Sequence, residues 1–167
     1  MAITKITTPD LIDLPFNNTD GIVLAKGPTA AVTSVQYLVV AGGGGGGYDD
    51  SGGGGAGGLL TATADFTVST PLDLTIGIGG TGAQISPTKG GNSTFANIVS
   101  DGGGAGIQVS GAAQDGGSGG GGSGNGGDQS PGTATTGQGF VGGQGYPRVS
   151  NDEAGGGGGG AGAAGAA

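Results

Sequence analysis

Apolar residues in this chain are bunched, and the bunches predict short strands. Val35-Gln-Tyr-Leu-Val-Val40 is a β-branched, aliphatic and aromatic run, apolar enough to be buried on both faces, and it predicts a strand over residues 34–41. Leu72, Leu74, Ile76 and Ile78 alternate with polar residues or glycine, which predicts a strand over 72–78 with one apolar face. Residues 61–67 alternate more weakly, residues 94–100 are a further candidate, and Ile107-Gln-Val109 is a brief fifth. Polar, Pro- and Gly-containing stretches such as 84–92 punctuate these runs. Apolar residues at helical spacing are missing throughout. The predicted fold class is therefore mainly β and irregular, with no α-helical core.

The flanks read differently. Residues 1–33 carry spaced apolar residues (Ile3, Ile6, Leu11, Ile12, Leu14, Phe16, Ile22, Val23, Leu24), while Pro9, Pro15 and Pro28 deny a long helix. A segment this short cannot enclose its own core, so it is expected to be an arm used for attachment or oligomerisation, burying those residues against a partner or a sister chain. Residues 34–110 form a strand-containing glycine-rich domain. Residues 111–167 are the polyglycine-rich part of the same domain. They end in a stretch of Gly and Ala only, after which a further segment is expected.

Glycine poses the central physical question, because it supplies 48 of the 167 residues and comes in unbroken blocks at 42–47, 52–55, 119–122 and 155–160. Ordering backbone costs about 1–2 kcal/mol per residue, and glycine has no side chain to bury in return. A flexible linker mixes Ser and Gly evenly, whereas these blocks abut strand signals. Collagen needs a strict Gly-X-Y period, which is absent. A bundle of polyglycine II helices fits best: three residues per turn, about 3.1 Å rise, and bare backbones close enough to hydrogen-bond to one another. The pattern then predicts a long hairpin: the strand at 34–41 runs into block 42–47, turns at Tyr48-Asp-Asp-Ser51, and returns through 52–58 into the next strand. Further polar tips are expected at 128–136 and 146–153.

Composition narrows the chemistry. Net charge is −8, and the four basic residues (Lys5, Lys26, Lys89, Arg148) are scattered, which disfavours nucleic acid as a partner. The acidic balance suits cationic or polar-neutral partners such as glycans. Cysteine and histidine are absent. That leaves no disulfide framework and removes the usual general base, so an enzyme is disfavoured. No apolar run approaches the ~20 residues of a membrane-spanning helix, and the start lacks the apolar core of a secretory signal. Synthesis in a cytoplasm and no membrane insertion are expected.

Gly77-Ile-Gly-Gly-Thr-Gly82 matches a dinucleotide fingerprint, but Pro87 and polar residues follow in place of a helix, so no cofactor is expected. The acidic pairs Asp49-Asp50 and Asp152-Glu153 read as solvated tip residues and not as metal ligands or catalytic carboxylates. Tyr48 beside Asp49, Asp50 and Ser51 is the most function-like cluster, combining a flat amphipathic ring with acceptors. It suits stacking on a sugar or docking on a surface protein; equally, Tyr48 could cover the end of the glycine bundle. Tyr146 and Arg148 form the second candidate contact. No catalytic, cofactor or metal residue is assigned.

Val35-Gln-Tyr-Leu-Val-Val-Ala-Gly42 running on to Gly47, followed by Gly52-Gly-Gly-Gly-Ala-Gly-Gly58-Leu-Leu, resembles the glycine-rich domain of tailed-bacteriophage tail fibres and fibre-tip adhesins. Thr75-Ile-Gly-Ile-Gly-Gly80, Gly90-Gly-Asn-Ser-Thr-Phe95 and 155–161 follow in the same order. The segments at 2–7 and 21–30 look like virion-attachment and shaft sequences. The resemblance implies a virion component, made in the host cytoplasm and acting outside. Its loops, on a polyglycine scaffold, would bind a host cell-surface receptor, either a glycan or an outer-membrane protein. It also implies contacts to other virion tail proteins through residues 1–33 and a homo-oligomer, such proteins often being trimeric. Two departures stand out: family members often continue past the final block, and the tips here are short and poor in aromatics. The competing reading is a purely structural, self-assembling filament subunit, with an ice-binding protein ranked below it.

Overall fold

The computed structural model describes residues 34–66, 72–107, 112–124, 130–149 and 152–167; the arm over 1–33 and the strand signal at 108–109 lie outside these. Among the described residues there is no helix. The described residues contain seven short strands, all paired antiparallel, in three small sheets. β1 (Val35–Val40) pairs with β2 (Leu59–Ala64), from Val35 opposite Ala64 to Val40 opposite Leu59. β3 (Leu74–Thr75), β4 (Ser93–Phe95) and β5 (Ile98–Ser100) form the second sheet in that order. β6 (Tyr146–Val149) and β7 (Asp152–Ala154) form a separate hairpin.

Side chains alternate across β1 as its β-branched and aromatic composition dictates. Val39 is buried, and the Tyr37 ring sits 6.4 Å from Phe95 of β4. Phe66, just past β2, meets Phe95 edge-on at 5.2 Å. This half-buried aromatic cluster joins the two sheets. Beyond it the side-chain core is thin: among the described residues, Val39, Ala41, Ala105 and Ala113 are the buried apolar ones.

Two strand expectations need correction. Of the 72–78 run only Leu74–Thr75 pairs, and Leu72, Leu74, Ile76 and Ile78 are all exposed, so the alternation marks surface and not core. β3 is a sheet edge, and at Gly77 the chain leaves the ladder: its N–H donates to Ser93 Oγ at 3.0 Å. The predicted strand over 94–100 is two strands folded about a tight turn, with Ala96 in the left-handed region (φ 52°).

The glycine blocks continue the sheet by other means. The β1–β2 register runs on unbroken, but at every third residue: Ala41, Gly44 and Gly47 donate to Gly58, Gly55 and Gly52. The residues between turn to other neighbours. Gly42 and Gly45 donate to Gly91 and Thr88, while Gly43 and Gly46 accept from Gly80 and Ala83. Partners that change at each residue and recur at every third are the signature of three-residue-per-turn polyglycine II packing. The predicted hairpin of strand, polyglycine and polar tip is thus present from Val35 to Ala64.

Residues 117–124 lie at the centre of the bundle. They are hydrogen-bonded to 53–56, 102–107, 114, 132, 140–143 and 156–159, and every one is buried. A methyl group added at Gly119, Gly120 or Gly121 would overlap a neighbouring carbonyl oxygen, of Gly132, Ala105 and Gly156 respectively. Small side chains do enter the interior: Ala105, Ser118 and Ser123 are fully buried, and Ser118 Oγ donates to the Gly160 carbonyl at 3.2 Å. Interior positions therefore admit Ala and Ser at particular points.

The polar tip expected at 128–136 is not a tip over its described part. Gly116 bridges Ala134, Gly116 donates to Thr133, and Gly132 donates to Gly120, so residues 130–135 are a bundle segment. Where sheet gives way to bundle, a polar knot satisfies the backbone. Ser100 Oγ donates to Gly58 C=O (2.6 Å), Asp101 N–H donates to Gln138 Oε1 (2.7 Å), and Thr135 Oγ1 donates to Asp101 Oδ2 (2.9 Å).

Candidate functional site at the loop end of the bundle

Chain direction decides where the loops emerge. Gly80 and Ala83 bond to Gly43 and Gly46, and Gly103 and Gly106 bond to Gly42 and Gly45, so 80–83 and 103–106 run parallel to 42–47. Gly104 and Ile107 bond to Ser118 and Gly121, and Gly119 and Gly122 bond to Phe140 and Gly143, which adds 118–122 and 140–143 to the same direction. These segments rise from the β1–β5 end. Their loops at 48–51 and 84–86, and the β6–β7 hairpin, therefore share the opposite end.

The turn at 48–51 is tightly organised. Asp49 and Asp50 both adopt the left-handed conformation (φ 55° and 52°), which aspartate tolerates better than most residues. Ser51 Oγ donates to the carbonyl of Tyr48 and, at 3.2 Å, to that of Asp49. The Asp50 carbonyl accepts the Gly124 N–H at 2.9 Å, tying the turn to the central segment. With its backbone so held, the turn leaves Tyr48 65% exposed.

Tyr48 forms one wall of a cleft of about 300 Å³ lined also by Gly46, Gly47, Gly82, Ala83 and Gln84. Across the 84–86 loop a smaller hollow of about 180 Å³ is lined by Ile85, Ser86, Pro87, Gly106, Ile107, Ala112 and Gln114. Ile85, at the rim, is 85% exposed. The β6–β7 hairpin adjoins the first turn: Gly155 packs against the Ser51 carbonyl so closely that a Cβ would overlap it, and Gly124 packs against Ala154 in the same way. Tyr146 on β6 is exposed. Arg148 lies in β6, its side chain outside the described residues.

The structure thus brings Tyr48, Asp49, Asp50 and Ser51 to the same end as the hairpin carrying Tyr146 and Arg148. Sequence reasoning missed the 84–86 loop, treating it as punctuation between strands. A signal was present: Ile85 is a lone large apolar residue in a polar stretch bracketed by glycines on both sides. Among the described residues no three carboxylate side chains cluster so as to hold a metal ion. Chemically the end is suited to non-covalent contact, with exposed aromatic and aliphatic anchors set among carboxylates and backbone groups.

No curated protein and no solved structure matches the chain. A match to a protein family does exist, to the glycine-rich domain, over residues 20–167. It takes in every described strand and every bundle segment and begins ahead of β1, within the region read from sequence as an arm. The chain belongs to the glycine-rich domain family.

Proposed function

We propose that the chain is a receptor-binding component of a bacteriophage tail fibre or fibre-tip adhesin. In this reading the loops at 48–51, 84–86 and 146–153 make the contacts with a host-surface glycan or outer-membrane protein. The observation that carries it is the convergence of exposed Tyr48, Ile85 and Tyr146 on loops at one end of a rigid backbone bundle. Large exposed anchors on short, backbone-fixed turns lose little freedom on binding, so contact energy is not spent on ordering them. The bundle supplies that fixity without a side-chain core, which leaves loop sequences free to vary at little cost to the fold. The resemblance of the 35–60 region to phage adhesin glycine-rich domains supports the same reading.

The test is adsorption of the intact chain to host cells. Tyr48→Ala, Ile85→Ser and Tyr146→Ala are each expected to weaken binding roughly tenfold, the cost of losing an anchor worth about 1–2 kcal/mol. Their melting temperatures should stay at the parent value, because all three side chains are largely exposed. If the triple variant adsorbs like the parent, the loop end is not the recognition surface.

A further inference from the structure

The cleft beside Tyr48 has a floor of bare backbone, contributed by Gly46, Gly47 and Gly82. The two segments that meet there are pinned together, because the Ala83 N–H donates to the Gly46 carbonyl at 3.3 Å. The Gly47 N–H in turn donates to the Gly52 carbonyl at 3.1 Å. Among the described residues the N–H groups of Gly46 and Gly82 meet no acceptor, the carbonyls of Gly47 and Gly82 accept from no donor, and the Gln84 amide has no partner. Side chains enter the lining only from Tyr48, Ala83 and Gln84. None of these residues is charged, whereas Asp49 and Asp50 follow directly on Tyr48.

We propose that this cleft holds a single neutral sugar ring of a host-surface glycan, an inference that rests on reading the loop end as the recognition surface. A pyranose ring has an apolar C–H face and a rim of hydroxyls. The Tyr48 ring suits the face, and the Gln84 amide, with donors and an acceptor on one planar group, suits two neighbouring hydroxyls. The floor supplies further donors and acceptors, and without Cβ atoms it lets the ring approach them directly. A volume of about 300 Å³ is at the lower limit of small-molecule sites, which fits one ring and not a chain of them. An apolar peptide side chain in the same place would strip water from the floor and from Gln84 without replacing its hydrogen bonds. An anionic sugar would meet no cation in the lining and two carboxylates beside Tyr48. Gly82 offers a probe that removes no side chain. Its φ is not left-handed, and a Cβ there would lie 3.2 Å from the Gly46 carbonyl oxygen and 3.9 Å from the Gly46 nitrogen, between the two floor segments.

NMR of the full chain tests the assignment as methyl glucoside, methyl galactoside, methyl mannoside or N-acetylglucosamine is added, with N-acetylneuraminic acid as the anionic comparison. At least one neutral sugar should shift the Gly46, Gly47 and Gly82 amides and the Tyr48 ring saturably, and the anionic sugar should not. Tyr48→Ala, Gln84→Ala and Gly82→Ala should each weaken that binding about tenfold. The Tyr48 and Gln84 variants should melt at the parent temperature. Silence towards every neutral sugar, an equal response to the anionic one, or binding unchanged in all three variants overturns the proposal. Adsorption to host cells separates it from the broader reading. Suppose adsorption is lost in the Tyr48, Ile85 and Tyr146 triple variant, yet survives in Gln84→Ala and Gly82→Ala and on cells whose glycans have been oxidised with periodate. The loop end then binds a protein, and the sugar assignment alone is refuted. Saturable sugar shifts at the cleft beside parent-like adsorption of the triple variant would instead leave the sugar site standing and refute its use in host recognition.

Discussion

Gly43 and Gly119 are the same residue in runs of glycine, yet they answer to different physics. A Cβ at Gly119 would overlap the carbonyl oxygen of Gly132, in a segment enclosed by other backbones. A Cβ at Gly43 would find its nearest neighbour, the Gly55 carbonyl oxygen, at an ordinary 3.6 Å. Only the first position requires glycine for packing. Gly119→Ala must displace a close-packed backbone, and the expected loss is about 3 kcal/mol or more, above the usual overpacking cost because no flexible side chain can yield. Gly43→Ala should raise stability by about 0.4–1 kcal/mol, since alanine restricts the unfolded chain and φ at Gly43 is not left-handed. Denaturant unfolding of the two variants measures both. Opposite signs are the signature; comparable losses in both would mean that the outer side of residues 42–47 is also packed.

At the scale of elements, what the sequence made legible depended on how far each segment's partners lay. The β1-tip-β2 hairpin could be read because strand, block, Tyr48–Ser51 turn, block and strand are contiguous and mirror-symmetric about the turn. The Tyr48 cluster was legible for the same reason. Segments 77–83 and 87–92 were not. Their glycines alternate with Ile78, Thr81 and Thr88, a mixture that reads as strand and loop until the neighbours contacting only every third residue are known. Residues 130–135 were mistaken for a loop because Thr and Ala are acceptable on an outward side. Their hold on the bundle comes partly from a side chain, since Asp115 Oδ1 accepts the Thr133 N–H at 2.6 Å. That bond, aided by the Thr133 hydroxyl and by Lys89, holds the Asp115 carboxyl below its ordinary value near 3.8. A depressed folded pKa means that the charged form favours the folded state. The contribution is therefore complete above the ordinary value and is lost as pH falls through the range beneath it. Asp115→Asn should keep an acceptor while flattening the decline in melting temperature between about pH 4 and pH 2. An acid limb unchanged in this variant would show that the contact does not matter to the fold.

For the whole molecule, stability resides in backbone bonds between segments distant in the chain: Gly53 with Gly156, Gly121 with Gly53, Gly159 with Gly119. No central segment can open without releasing several others, so the bundle should unfold as one unit and amides at 119–121 should exchange only through global unfolding. The three-residue period adds a finer signature at the surface. Along 41–47, residues 41, 42, 44, 45 and 47 donate to backbone acceptors, whereas the N–H groups of Gly43 and Gly46 meet no acceptor among the described residues. Native-state hydrogen exchange resolved by residue should therefore give slow, slow, fast in repetition, with Gly43 and Gly46 exchanging rapidly beside protected neighbours. A β-ladder would alternate with period two, and a disordered glycine linker would exchange uniformly fast. Either of those patterns would overturn the packing, because only a backbone that turns a third of a circle per residue presents every third N–H to the same side.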